Sequence, residues 1–130
     1  MAVIEPGREY SILERGLDSP RLGEGMNGPG QLKTAAIQRT LAVLDRIRTE
    51  FARQGIIIFR TVGTEALRLA KNCGEFIVRA GGLGIEVEVI SGQEEAWLIR
   101  KGALSGLPWA EAGTVLADVE IGRASCRERV

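Results

Sequence analysis

Three short runs carry the residues able to do chemistry. They are Arg21-Leu22-Gly23-Glu24-Gly25-Met26, Val62-Gly63-Thr64-Glu65-Ala66-Leu67-Arg68 and Val89-Ile90-Ser91-Gly92-Gln93-Glu94-Glu95-Ala96. In the third, Ser91 and Glu94 stand at capping-box spacing: the hydroxyl accepts from the Glu94 amide, and the carboxylate reaches back to the Ser91 amide. Glu94 therefore reads as a structural cap. Glu95 lies one residue further round the helix and points elsewhere. A first-turn carboxylate is favoured as an anion by the helix dipole and is able to orient and deprotonate a water. The ordinary reading of such a residue is a solvated surface Glu, and spacing alone favours it. Arg68 is similarly ambiguous: a solvated charge on a helix, or, beside Thr64 at a helix start, a guanidinium suited to a phosphate oxygen. Arg21, in a Gly-flanked loop, could act likewise. Trp97 and Trp109 read as packing residues, because the interleaving of aromatic and basic residues that strand binding needs is absent.

The elements that would position these runs follow from pattern. Residues 2–5 and 10–15 flank a Pro-Gly turn and predict a hairpin. Residues 16–30 hold five Gly and two Pro and read as a loop. Ile37, Leu41, Leu44, Ile47 and Phe51 recur at helical steps, predicting a helix from residue 34 to about 54 that Gly55 stops. The β-branched run at 56–62, broken only toward its end by Arg60 and Thr61, predicts a strand buried on both faces. Thr64 is expected to cap a short helix to about residue 71, with another turn starting at Asn72 and a break at Gly81, Gly82 and Gly84. Residues 85–90 alternate apolar and Glu, as a strand with one wet face does. A helix from Ser91 to about residue 104 and a strand from Val115 complete the order. Strands alternating with helices argue for an α/β sheet with parallel pairing, preceded by an antiparallel hairpin.

Composition narrows the chemistry. The 130 residues suit one domain or a piece of a larger one, with 45% hydrophobic and 26% charged residues. Lys plus Arg and Asp plus Glu number 17 each, which disfavours a surface that coats a nucleic-acid polymer. With no His, Ser-His-Asp and Cys-His catalysis and His-based zinc sites are excluded within the chain. Cys73 and Cys126 cannot make a disulfide framework. No window approaches the roughly 18 apolar residues of a membrane span, and no signal peptide is visible, so the default expectation is a cytoplasmic protein with no membrane partner.

Taken in order, the three runs resemble the exopolyphosphatase / guanosine pentaphosphate phosphohydrolase (Ppx/GppA) family. Its runs are an Arg-Leu-Gly-Glu-Gly-like loop, here at residues 21–25; a Thr-Ser-Ala-Leu-Arg-like strand–helix turn, here at 64–68 with Glu65 in the Ser place; and Ile-Ser-Gly-x-Glu-Glu-Ala, here at 90–96. The resemblance covers residue 2 to about 119. It implies a fragment of the N-terminal subdomain of an actin-like, ribonuclease-H-like fold. That fold belongs to the superfamily of acetate kinase, sugar kinases and chaperone ATPases. Family members cleave the terminal phosphate of inorganic polyphosphate, or the 5′ γ-phosphate of guanosine pentaphosphate, with Mg²⁺. The Glu matching Glu95 is taken as the base that positions the water, the Arg matching Arg68 contacts phosphate, and Arg21 and Thr64 are weaker phosphate candidates. The Asp matching Asp118 is associated with the metal.

Two departures qualify that picture. The family's opening Asp-x-Gly-x-Asn-Ser phosphate loop has no counterpart ahead of residue 2. Its second loop, Asp-x-Gly-Gly-Gly-Ser, begins at Asp118-Val119 and is then replaced by Glu-Ile-Gly-Arg-Ala-Ser-Cys-Arg-Glu-Arg-Val. This segment looks like one reading frame of a common sequencing adapter. The expectation is therefore a partial phosphatase domain at 1–119 with a tail at 120–130, inactive alone, from a homodimeric parent enzyme. A non-catalytic polyphosphate or nucleotide sensor is the alternative of another class.

Overall fold

The computed structural model describes residues 2–3, 11–12, 16–26, 29–58, 60–105, 115–120 and 123–129, with side chains over 16–26, 29–58 and 60–103. Its elements are strands β1 (Ala2–Val3) and β2 (Ser11–Ile12), helix α1 (Thr34–Arg53), strand β3 (Thr61–Gly63), helices α2 (Glu65–Leu69) and α3 (Cys73–Gly82), strand β4 (Val87–Val89), helix α4 (Gly92–Ser105), and strands β5 (Val115–Glu120) and β6 (Arg123–Arg129). The hairpin is present: β1 and β2 run antiparallel with Ala2 opposite Ile12, while the Pro-Gly turn lies outside the described residues. β3 and β4 pair in parallel, Val62 opposite Glu88. β5 and β6 pair antiparallel, Asp118 opposite Ser125, so residues 123–129 run as a strand. Among the described residues these are three separate two-stranded sheets rather than the single sheet the alternation predicts.

The helix ends obey local chemistry. Gly55 sits at φ +70° after α1. Its amide donates to the Ala52 carbonyl, and Ile56 donates to Phe51 at 2.8 Å. Gly84 repeats the arrangement after α3 at φ +75°, with Gly84 bonded to Gly81 and Ile85 to Ala80. These paired bonds satisfy helix-end carbonyls through a left-handed residue that glycine adopts without steric cost.

The core gathers Leu32, Ile37, Leu41, Leu67, Ala70, Phe76 and Ala80. Asn72 ties the loop before α1 to the α2–α3 junction. Its amide nitrogen donates to the Leu32 carbonyl at 3.1 Å, and its oxygen accepts from the Leu32 amide at 2.8 Å. The loop at 16–26 is held to α1 by Arg39–Glu24 at 2.6 Å and Arg46–Asp18 at 2.7 Å.

Three expectations change. The strand foreseen over 56–62 shrinks to Thr61–Gly63, because only that end meets β4, and Ile57 is 88% exposed. The apolar face of α1 is buried only at Ala36, Ile37, Thr40 and Leu41. Ile47 and Phe51, further along it, line an open groove. Trp97 is half exposed rather than packed, with Lys101 Nζ 4.3 Å from its ring centroid, a cation–π contact; Trp109 lies outside the described residues.

Candidate active site: an arginine and a glutamate across parallel strand ends

β3 and β4 run side by side and end together. From Gly63 the chain passes through Thr64 into α2, and from Val89 through Ile90 and Ser91 into α4. The Ile90 amide donates to the Gly63 carbonyl at 3.0 Å, continuing the ladder past β4. Both strand–helix junctions therefore open at one end of the parallel pair, where open α/β sheets bind ligands.

Arg68 and Glu95 meet there. Arg68 Nη1 lies 2.7 Å from Glu95 Oε2, and the same nitrogen donates to the Ile90 carbonyl at 2.9 Å. Both side chains are mostly withdrawn from water, with exposures of 26% and 21%. One nitrogen carries both contacts, so the guanidinium's other donors can face an incoming anion. One carboxylate oxygen makes the pair, and Oε1 is left as an acceptor for water. The ordinary reading of Glu95 as a solvated surface residue is thereby corrected: the β3–β4 register turns it onto Arg68.

The capping box forms by half. The Glu94 amide donates to Ser91 Oγ at 3.1 Å, as foreseen. The Glu94 carboxylate does not return to Ser91; Arg60 Nη2 takes its Oε1 at 2.7 Å. A hydrogen bond between two ionised groups is stronger than one from a neutral amide. Arg60 also donates through Nε to Glu88 Oε2 at 2.8 Å. Its hydrogen bonds to Glu88 and then Glu94 raise the guanidinium's pKa further above its ordinary value, and the bond from Arg60 lowers that of the Glu88 carboxyl. Arg60 was legible only as a charge interrupting an apolar run.

Thr64 occupies the position before α2, but its hydroxyl makes no capping bond. Its carbonyl accepts from the Leu67 and Arg68 amides, each at 3.0 Å, the first bonds of the helix. The Arg21 loop packs onto the same unit: a Cβ on Gly23 would stand 3.2 Å from that of Ala66. Arg21 itself is exposed, with φ +53°, and does not join the Arg68–Glu95 pair. Asp118 lies in β5, and its side chain falls outside the described residues. Among the described residues there is no group of three or more acidic, His or Cys side chains that could hold a metal ion. Nor does any described helix have the length and apolarity to cross a membrane.

Parallel strands feeding helices, with a basic and an acidic side chain meeting where they end, define part of an actin-like α/β domain. The Ppx/GppA phosphatase family model matches residues 2–125, and the chain belongs to that family. The crystal structure of an Aquifex aeolicus Ppx/GppA family member is 29% identical, with a TM-score of 0.75, over 99% of this chain and 44% of that one. A structure of the Aquifex aeolicus PPX-GPPA enzyme is 35% identical, with a TM-score of 0.61, over 72% and 31%. An exopolyphosphatase from Cytophaga hutchinsonii is 29% identical, with a TM-score of 0.70, over 75% and 32%. The chain thus spans less than half the length of each.

Proposed function

We propose that the protein to which this chain contributes hydrolyses a terminal phosphoanhydride bond, with inorganic polyphosphate as substrate. The observation that carries this reading is the Arg68–Glu95 pair, 2.7 Å apart at the ends of two parallel strands. Glu95 holds a water through its carboxylate and takes a proton as the water oxygen bonds to the terminal phosphorus. The bridging P–O bond breaks, the electron pair leaves with the shortened chain, and the proton passes from Glu95 to solvent. Arg68 grips the terminal phosphate with its remaining donors and offsets the charge on its oxygens. The Thr64 hydroxyl, which makes no capping bond to α2, and Arg21 are secondary phosphate contacts. Asp118 is assigned to a divalent cation, Mg²⁺, and no step here depends on it.

The test grafts residues 2–119 in place of the matching segment of the Aquifex aeolicus relative and measures phosphate release from polyphosphate and from guanosine pentaphosphate. The 130-residue chain alone is expected to release none. The graft is expected to turn over, with polyphosphate preferred. Glu95→Gln should lower its kcat by about 10²–10⁴-fold, the usual loss of a general base. A folded graft in which Glu95→Gln keeps full turnover sinks the assignment. A preference for guanosine pentaphosphate changes the substrate but not the mechanism. Binding of polyphosphate without turnover would make the site a sensor.

A further inference from the structure

Glu94 and Glu95 are consecutive on α4, so their side chains leave the helix about 100° apart. Glu95 turns to Arg68 in α2, and Glu94 turns to Arg60, just ahead of β3. The Arg60 guanidinium also holds Glu88 in β4. Two arginines from one β3–α2 unit therefore flank the first turn of α4.

We infer that Arg60 is a positioning residue for Glu95, acting through Glu94 to fix the rotation of α4 about its own axis. This rests on the reading of Glu95 given above. A single side-chain contact pins a helix end at one point and leaves the helix free to roll. A second contact, about 100° round the same turn, removes the roll. The bonds of the Glu94 and Glu95 amides to Ser91, at 3.1 and 2.9 Å, hold the start of the helix along its axis and do not replace this restraint. Arg60 has a second effect. Three carboxylates, Glu88, Glu94 and Glu95, stand beside two guanidiniums, and Arg60 occupies two of them. Arg68 is thereby left to Glu95 and to substrate. Bridging two carboxylates through two different nitrogens needs the planar fork of arginine, which lysine lacks.

The test is a double-mutant cycle on the full 130-residue chain, read as shifts in the urea unfolding midpoint. Arg60→Gln and Glu95→Gln are each expected to lower the midpoint, and the double variant to lower it by less than the sum, because neighbouring groups that share one arrangement couple. Arg60→Gln with Glu75→Gln, whose partner is Arg79 on α3, is the control and should be additive. Arg60→Lys keeps the charge and should restore part of the coupling. In the grafted enzyme Arg60→Gln should lower kcat about ten- to a hundredfold with KM nearly unchanged, as misplacement of a reacting group does. Additivity of Arg60→Gln with Glu95→Gln overturns the inference, whatever phosphate release does. Coupling without hydrolysis leaves it standing while the proposed function fails.

Discussion

Arg68 and Glu95 are each about three-quarters withdrawn from water, which makes the two ways of breaking their pair unequal. Removing one partner leaves a largely buried charge with nothing to balance it, whereas removing both leaves none. Arg68→Met should therefore cost about 1–3 kcal/mol, between the values for exposed and fully buried pairs. Arg68→Met with Glu95→Met should cost less than Arg68→Met alone. Urea unfolding of the three proteins checks this, and a double variant less stable than the single one would refute it. Both residues could be singled out in the sequence, because each stands one turn or less into a helix that follows an apolar run. Their pairing could not, since it depends on which strand lies beside which. Arg60 shows the same limit more sharply. Its partners come 28 and 34 residues later, and nothing local distinguishes it from an ordinary solvated arginine. The Ser91 hydroxyl bond to Glu94 was legible because capping is a matter of three residues and one turn.

Local rules also set the element boundaries, and the boundaries set the site. Gly84 turns the chain out of α3 at φ +75° and delivers Ile85, 2% exposed, to the core immediately before β4. No atom lies within 4 Å of where a Cβ on Gly84 would sit, so Gly84→Ala strains only the backbone. It should cost about 1–2 kcal/mol, the penalty of a left-handed conformation for a residue with a Cβ, read by thermal unfolding. A second expectation concerns pH. The Arg60 bond lowers the Glu88 pKa in the folded chain relative to the unfolded one. Its stabilising contribution is then present above the ordinary carboxylate pKa of about 4.3 and is lost as the pH falls through the lowered folded value. The contribution is small because the groups are exposed. Glu88→Gln should flatten this acid-side part of the stability profile, and an unchanged slope would show that the bond does not persist in solution. Helix ends were legible because glycine is needed at fixed positions after them. The long strand foreseen at 56–62 was not realised, because an apolar run becomes a strand only where a neighbour completes its hydrogen bonds, and β4 reaches just Thr61–Gly63.

At the scale of the molecule, the same shortfall of neighbours leaves apolar surface open. A groove of about 630 Å³ runs along α1 past Val43, Leu44, Ile47 and Phe51. It meets a smaller apolar cavity of about 220 Å³ beside β3, with Thr40 and Leu44 lining both. Ile57 is 88% exposed just ahead of β3, and Val62 within it is 39% exposed. Among the described residues β3 pairs only with β4, so no described strand covers its other edge, which lies beside this apolar surface. An exposed strand edge next to apolar side chains is a template for pairing with another chain. The 130-residue chain should therefore self-associate as its concentration rises, and sedimentation velocity across a dilution series measures this. Ile57→Lys places a charge at a highly exposed apolar position just ahead of β3 and should shift the distribution toward monomer, with little loss of stability because the side chain packs against little in the folded chain. The Arg68–Glu95 contact lies at the strand ends rather than along this edge, so the substitution should leave it intact. If the unmodified chain stays monomeric throughout the series, or if Ile57→Lys leaves the association unchanged, the edge at β3 is not its cause.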